Sequence, residues 1–271
     1  MEQPIVVVSS NNNPDYLFFL PIVEWCWNQL GWKTAMMLTA DVDVNKIGKH
    51  KVFSDTIMIQ LPEIEGIRPE TMAQGGRLYA CNYLPKDTLV MTSDADMIPL
   101  SNFLKPNRDE ITEFGHDLTW FNFFPMCYIA MKTEKWQKIM DLSYDTKRDF
   151  ERDAKANGRP YATEWERWWD FDWEHITQKL KESGEPITHV NRGQVQCAGA
   201  TLAKGRIDRY AYPKAWDEAL QQPERMDCHC INAAYSDERW GRLFALMLEC
   251  FGEDARWMEK YKNDFKLDYA K

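Results

Sequence analysis

Short apolar runs and helical apolar stripes take turns along the first hundred residues. Ile5-Val-Val-Val-Ser9 is a β-branched run of the kind shown by a parallel strand buried on both faces, and it ends in the polar cluster Ser9-Ser-Asn-Asn-Asn13. From Pro21 the residues Ile22, Val23, Cys26, Trp27 and Leu30 recur at helical spacing, with Pro21 suited to the first turn and Gly31 to the C-terminal cap. Strands are expected at Thr34–Leu38 and Thr56–Gln60. Arg68-Pro-Glu opens a helix through Arg77, Leu78 and Cys81 toward Tyr83, and Leu89–Ser93 is the next strand.

Past Asp96 the order is less regular. Leu118–Phe123 and Met126–Met131 read as strands, and Thr133 reads as the cap of a helix Glu134–Leu142. Residues 144–185 are charged and rich in tryptophan, with Trp165, Trp168, Trp169 and Trp173 crowded around Asp170 and Asp172, and helices are expected to dominate there. From Ser236 the apolar stripe Trp240, Leu243, Phe244, Met247 and Leu248 predicts a helix that packs on the sheet. Strands alternating with helices fit βαβ crossovers, hence an α/β fold with a mostly parallel, Rossmann-like sheet flanked by helices and a helical C-terminal part. Such sheets bind ligands at the carboxyl ends of their strands. Ser9-Ser10-Asn11 and Asp94-Ala-Asp96 would share that edge.

Composition narrows the chemistry. At 271 residues with 44% hydrophobic content the chain can build a substantial core, and neither an internal repeat nor a low-complexity linker divides it. Its net charge of -9 argues against a broad nucleic-acid footprint, although a local basic groove stays compatible with it. No apolar run approaches the roughly 20 residues that span a bilayer, and Met1-Glu-Gln-Pro lacks the marks of a signal peptide, so a cytoplasmic protein is expected. The seven cysteines are odd in number and scattered through apolar stretches, as reduced packing thiols would be. Cys228-His229-Cys230 has no Cys-x-x-Cys partner nearby to complete a zinc site.

Asp-x-Asp occurs three times, at Asp41/Asp43, Asp94/Asp96 and Asp170/Asp172, and only Asp94/Asp96 ends an apolar strand, just before Pro99. Two carboxylates there repel a nucleoside diphosphate unless a divalent cation lies between, and with Mg²⁺ or Mn²⁺ the same corner attracts it. The plainer reading is a loop of solvated acids.

Ser93-Asp-Ala-Asp-Met-Ile-Pro-Leu-Ser101 resembles the acidic motif of the GT-A glycosyltransferases, particularly the small enzymes of large DNA viruses and bacteriophages. The resemblance extends to Ile5–Ser9, Gln74-Gly-Gly-Arg-Leu-Tyr-Ala80, Phe124-Pro-Met-Cys-Tyr-Ile-Ala130, Gly205-Arg-Ile-Asp-Arg209 and Asp227-Cys-His229, and so covers most of the chain. It implies one GT-A domain over 1–271, with 1–131 as the nucleotide-sugar-binding half and 132–271 as the acceptor-side and C-terminal helical half. It also implies a UDP-sugar donor and a metal. Ser9, Ser10 and Asn11 would meet base and ribose, and Arg77 would face the sugar nucleotide. Asp94 would lie toward ribose, donor sugar and metal, while Asp96 and His229 would ligate the metal. The acceptor would be a glycan on the large-virus branch or a hydroxymethylated DNA base on the phage branch, and the acidic net charge favours the glycan.

Glycosyl transfer with inversion also needs a carboxylate to deprotonate the acceptor hydroxyl. The family places an acid at the start of a helix beneath the acceptor, and the matching stretch is Asp170-Phe-Asp172-Trp-Glu174, with Asp172 first in order, then Asp170 and Glu174. Helix capping explains acids at such a place without catalysis, and the nearby indoles suit sugar stacking as well as core packing. Two other readings compete: a GT-A-shaped binding protein without turnover, and a haloacid-dehalogenase-type phosphatase. In the latter the motif follows the first strand, whereas here it follows several and runs into Met97-Ile-Pro99.

Overall fold

Strand β1 (Ile5–Ser10) shows why its sequence is apolar without interruption. Ile5 and Val7 point into one hydrophobic core, Val6 and Val8 into the other, so both faces of the strand are covered. Strand β2 (Lys33–Leu38) repeats the division, with Ala35 and Met37 on one side and Met36 and Leu38 on the other. The computed structural model describes residues 3–115, 123–161, 170–197, 200–209, 221, 224–230 and 234–269.

The remaining strands are β3 (Ile57–Gln60), β4 (Leu89–Thr92), β5 (Met97–Pro99), β6 (Ile111–Phe114), β7 (Ile129–Lys132), β8 (Ile187–Val190), β9 (Gln194–Cys197), β10 (Ala200–Ala203), β11 (Arg206–Asp208) and β12 (Asp227–His229). Seven of them form a central sheet in the order β3-β2-β1-β4-β7-β6-β8, in which β7 runs antiparallel to its neighbours and the other pairings are parallel. A second, small sheet has the order β11-β12-β5, and β9 and β10 form an antiparallel pair. The expected α/β class with a mostly parallel sheet is therefore the one found.

Helix Leu20–Gln29 and the C-terminal helices Asp237–Phe251 and Trp257–Tyr269 cover one face of the sheet. There Phe18 packs with Tyr235, Trp240, Tyr261 and Phe265, and the Tyr261 hydroxyl donates to the Phe18 carbonyl at 2.8 Å. Helices Pro69–Gly76, Thr133–Met140, Thr146–Asn157 and Phe171–Ser183 cover the other face through Met72, Trp136, Phe150 and Phe171.

Local differences from the expected elements have physical reasons. The helix from Pro69 stops at Gly76 and tightens into a 3-10 turn over Arg77–Asn82. A methyl group at Gly75 would lie 2.9 Å from both Phe150 and Phe171, so the glycine lets three elements close up. The strand expected over Met126–Met131 spans Ile129–Lys132; just before it Tyr128 is buried and donates its hydroxyl to Asp227 at 3.1 Å. Thr133 is the first residue of its helix rather than its cap, and its hydroxyl donates to the Pro85 and Thr88 carbonyls, each at 2.9 Å. Of the expected strand Leu118–Phe123 only Phe123 is described, and Trp165, Trp168 and Trp169 also lie outside the described residues.

Candidate functional site

Parallel pairing of β1 with β4 brings Val7 beside Thr92, and the Ser93 amide donates to the Val7 carbonyl at 2.9 Å. Ser9-Ser10-Asn11 and Asp94-Ala-Asp96 therefore leave the sheet at one edge. Ser9, Ser10 and Asn11 are buried: the Ser9 hydroxyl donates to the Ala73 carbonyl and the Ser10 hydroxyl to the Asn11 carbonyl at 2.9 Å. Both hydroxyl protons are spent inside the protein, which leaves lone pairs and main chain as the groups these residues can offer.

Arg77 enters from the 3-10 turn beneath this edge. Its Nη1 donates to the Ser93 carbonyl at 2.9 Å and to an Asp94 carboxylate oxygen, and its Nη2 donates to Asp172 Oδ2 at 2.6 Å. One buried guanidinium thus joins carboxylates from two elements. Its single charge cannot balance both acids, and the two respond differently. Burial pushes Asp94 up, but the charge and hydrogen bonds of Arg77 outweigh it and hold the group below its ordinary value. For Asp172 burial wins over Arg77, the Asp94 charge adds to it, and the group rises to about 6. Asp172 is 1% exposed, and its Oδ1 accepts from the Trp173 amide at 2.9 Å. Asp170 occupies the cap position of helix Phe171–Ser183 without a side-chain capping bond, and its carbonyl accepts from the Glu174 amide at 3.1 Å. Asp172 thereby joins the Asp94 corner, while Asp170 and Glu174 stay half-buried beside it.

Asp96 is framed by the small sheet. Antiparallel β5 and β12 set His229 opposite Met97, parallel β11 sets Asp208 opposite His229, and the Cys230 amide donates to the Asp96 carbonyl at 2.9 Å. His229 Nε2 lies 3.6 Å from Asp96 Oδ2, and its Nδ1 lies 3.3 Å from Asp208 Oδ2. Burial works against the imidazolium, but Asp96 and Asp208 outweigh it and lift His229 to about 9. Arg209 donates from Nη1 to Asp96 Oδ2 at 2.6 Å and is also hydrogen-bonded to Tyr16.

Behind this corner Asp227 is fully buried, accepting from Arg192 at 2.7 and 3.0 Å and from Arg206 at 3.0 and 3.1 Å. Burial raises its pKa, and the two guanidiniums more than reverse that, holding it well below the carboxylate range. Asp227 is the hub of the small sheet. Strand alternation turns Cys228 and Cys230 into the apolar core, away from His229, so the Cys-His-Cys triplet does not converge on an ion.

Among the described residues no three His, Cys, Asp or Glu side chains converge as a ready metal site. Of the three expected ligands, Asp94 is paired with Arg77, and Asp96 and His229 lie 3.6 Å apart. The remaining donor chemistry does fit a divalent ion. Asp96 would supply oxygen and His229 would supply Nε2 once the ion displaces the proton that its raised pKa keeps there at neutral pH, while Asp208 at Nδ1 would orient the ring as an outer carboxylate does at imidazole-metal sites. Asp208, Arg209 and Tyr16 had no role assigned from the sequence. The signal available was Gly205-Arg-Ile-Asp-Arg209: Gly205 sits at φ 76°, and the strand it opens ends with Asp208 in register with His229.

No protein-family model matches the sequence, and no curated protein is significantly similar to it. Solved structures do match. The glycosyltransferase GlyE of Streptococcus pneumoniae TIGR4 aligns over 100% of this chain and 63% of its own, with TM-score 0.54 and 12% identity. The galactosyltransferase LgtC, solved with donor and acceptor sugar analogues, aligns over 96% of this chain and 95% of its own, with TM-score 0.48 and 9% identity. The chain thus spans less than two thirds of the GlyE structure. With its β3-β2-β1-β4-β7-β6-β8 sheet and flanking helices, the chain has the GT-A glycosyltransferase fold.

Proposed function

We propose that this chain is a metal-dependent glycosyltransferase that moves a sugar from a UDP-sugar to a hydroxyl of a glycan. The observation that carries the reading is the junction at the carboxyl edge of β4, where Arg77 ties Asp94 to Asp172 on one side and Asp96 meets His229 on the other. Basic and acidic groups from four distant segments meet where a doubly wound sheet binds its ligand.

Asp96 and His229 would hold Mn²⁺ or Mg²⁺, which supplies neutralisation of the diphosphate leaving group. Ser9, Ser10 and Asn11 line the edge that receives base and ribose. Arg77 positions Asp94 against the donor sugar and fixes Asp172 in the same corner. Asp172, raised to about 6, is ionised in neutral solution and takes the proton of the acceptor hydroxyl, with Asp170 and Glu174 next in order for that role. The net charge of -9 supports a glycan acceptor over a DNA base.

Thermal shift with UDP, GDP and CDP, each with and without Mn²⁺, tests the donor site. Stabilisation by UDP only in the presence of Mn²⁺, abolished in Asp96→Ala, is expected. Binding that ignores the metal, or no binding, would sink the assignment. Sugar transfer to glycan and hydroxymethylated-DNA acceptors then separates an enzyme from a binding protein and one acceptor class from the other.

A further inference from the structure

Arg209 is the side chain at the acidic edge for which the proposed reaction has no task. It lies at the end of β11, one residue past Asp208, and its guanidinium donates to the very oxygen of Asp96 that faces His229. The arginine is therefore bonded to the carboxylate oxygen that a divalent ion shared with His229 would use. Tyr16, from the short helix that follows β1, holds Arg209 from a second element. The solvent access is on the arginine side: Arg209 keeps 19% of its side-chain surface open against 5% for Asp96, whereas Arg77 keeps 7%. A partly solvated, charge-assisted bond is one that a competing cation can replace.

We propose that Arg209 is a built-in cation that occupies Asp96 until a divalent ion and the donor arrive, and that it then moves onto the donor diphosphate. The proposal rests on the metal-dependent reading of the site. Two features of the residue support the second half of the exchange. A guanidinium presents a planar fork of donors that matches phosphate oxygens, and it stays charged at every relevant pH. An ion bound at Asp96 brings the diphosphate to the same carboxylate, so the displaced guanidinium has a short way to travel. Without metal, Arg209 neutralises Asp96 and steadies it beside His229; with metal, the same charge is freed for the leaving group.

The exchange makes opposite predictions for two ligands, which a merely structural arginine does not. Mn²⁺ binding to the protein alone is read from the loss of the free-ion electron paramagnetic resonance signal, with no nucleotide and no turnover. Removing the internal competitor in Arg209→Gln should tighten Mn²⁺ by about tenfold, from the usual strength of a hydrogen bond to a charged group. UDP affinity at saturating Mn²⁺, measured by calorimetry, should weaken by about tenfold in the same variant. Arg209→Lys keeps a cation without the fork, and should leave Mn²⁺ near wild type while UDP still weakens. Circular dichroism melting confirms that each variant is folded. Unchanged or weaker Mn²⁺ binding in a folded Arg209→Gln, including no binding at all, overturns the proposal, as does unchanged UDP affinity. Asp96→Ala separates this failure from failure of the donor-site reading: it should abolish Mn²⁺ binding whatever Arg209 does.

Discussion

Asp94 and Asp96 are two residues apart, yet they belong to different kinds of environment. Asp94 is gripped by Arg77, a side chain sealed between helix and sheet and shared with Asp172. Asp96 is gripped by Arg209, which sits on the rim of a small sheet and keeps more than twice the open side-chain surface. The same residue pair, carboxylate and guanidinium, is a fixed strut in the first case and an exchangeable contact in the second. Burial of the guanidinium makes the difference, because Asp94 keeps 26% of its side-chain surface open and Asp96 only 5%: Arg77 is closed in with the buried Asp172, whereas Arg209 reaches Asp96 from the rim.

The largest effect should come from Arg77→Ala, which leaves the buried Asp172 and the half-buried Asp94 without their cation. A loss of about 3–5 kcal/mol in urea unfolding is expected. A loss below about 1 kcal/mol would mean that water enters the corner and that the contrast with Asp96 is false. Asp208→Asn should act next, on metal rather than on folding: Mn²⁺ affinity should fall about 10- to 100-fold by loss of the group that orients His229, with the melting temperature little changed. An unchanged affinity would remove Asp208 from the site.

Asp172 gives a pH-dependent test of the sealed side. With a value of about 6, it loses its proton as pH rises through that point, so kcat/KM for sugar transfer should fall about tenfold per unit below pH 6, and Asp172→Asn should erase that limb. The sign for stability is opposite. A carboxyl raised in the folded state favours folding below its unfolded value of 3.8, and the contribution fades as pH rises toward 6. Wild type should therefore lose stability relative to Asp172→Asn across that window in urea titrations at successive pH values. The smallest effect is reserved for the open side: Arg209→Gln should cost less unfolding free energy than Arg77→Ala, because His229 stays beside Asp96 and a glutamine amide can still donate to it. A loss comparable to that of Arg77→Ala would erase the distinction between strut and exchangeable contact.

The sheet was legible in the sequence because a strand buried on both faces has to be apolar throughout, as Ile5–Val8 and Leu89–Met91 are. The corner was legible in part, since an acidic pair just past a buried strand falls at the carboxyl edge by topology alone. What the sequence withheld is pairing at long range. Arg77 and Asp172 are separated by 95 positions, and Arg209 and Asp96 by 113. No local spacing encodes which arginine meets which acid. It also could not reveal that Asp94 pairs with Arg77, or that the Tyr128 hydroxyl reaches Asp227.

The interleaving of late strands with early ones sets an order for synthesis. Strand β6 cannot gain its second neighbour until β8 has been made, Arg77 waits for residue 172, and Asp96 waits for residues 208 and 229. Asp94 can pair with Arg77, 17 positions earlier, at once, but most of these 271 residues are made before Asp96 can meet Arg209 and His229, and the first half spends that interval with an open sheet edge. Slow codons or a bound chaperone would matter most after β7 and least after β12. UDP with Mn²⁺ added to a translation mixture should protect chains of all 271 residues from protease while leaving those cut short before β11 exposed.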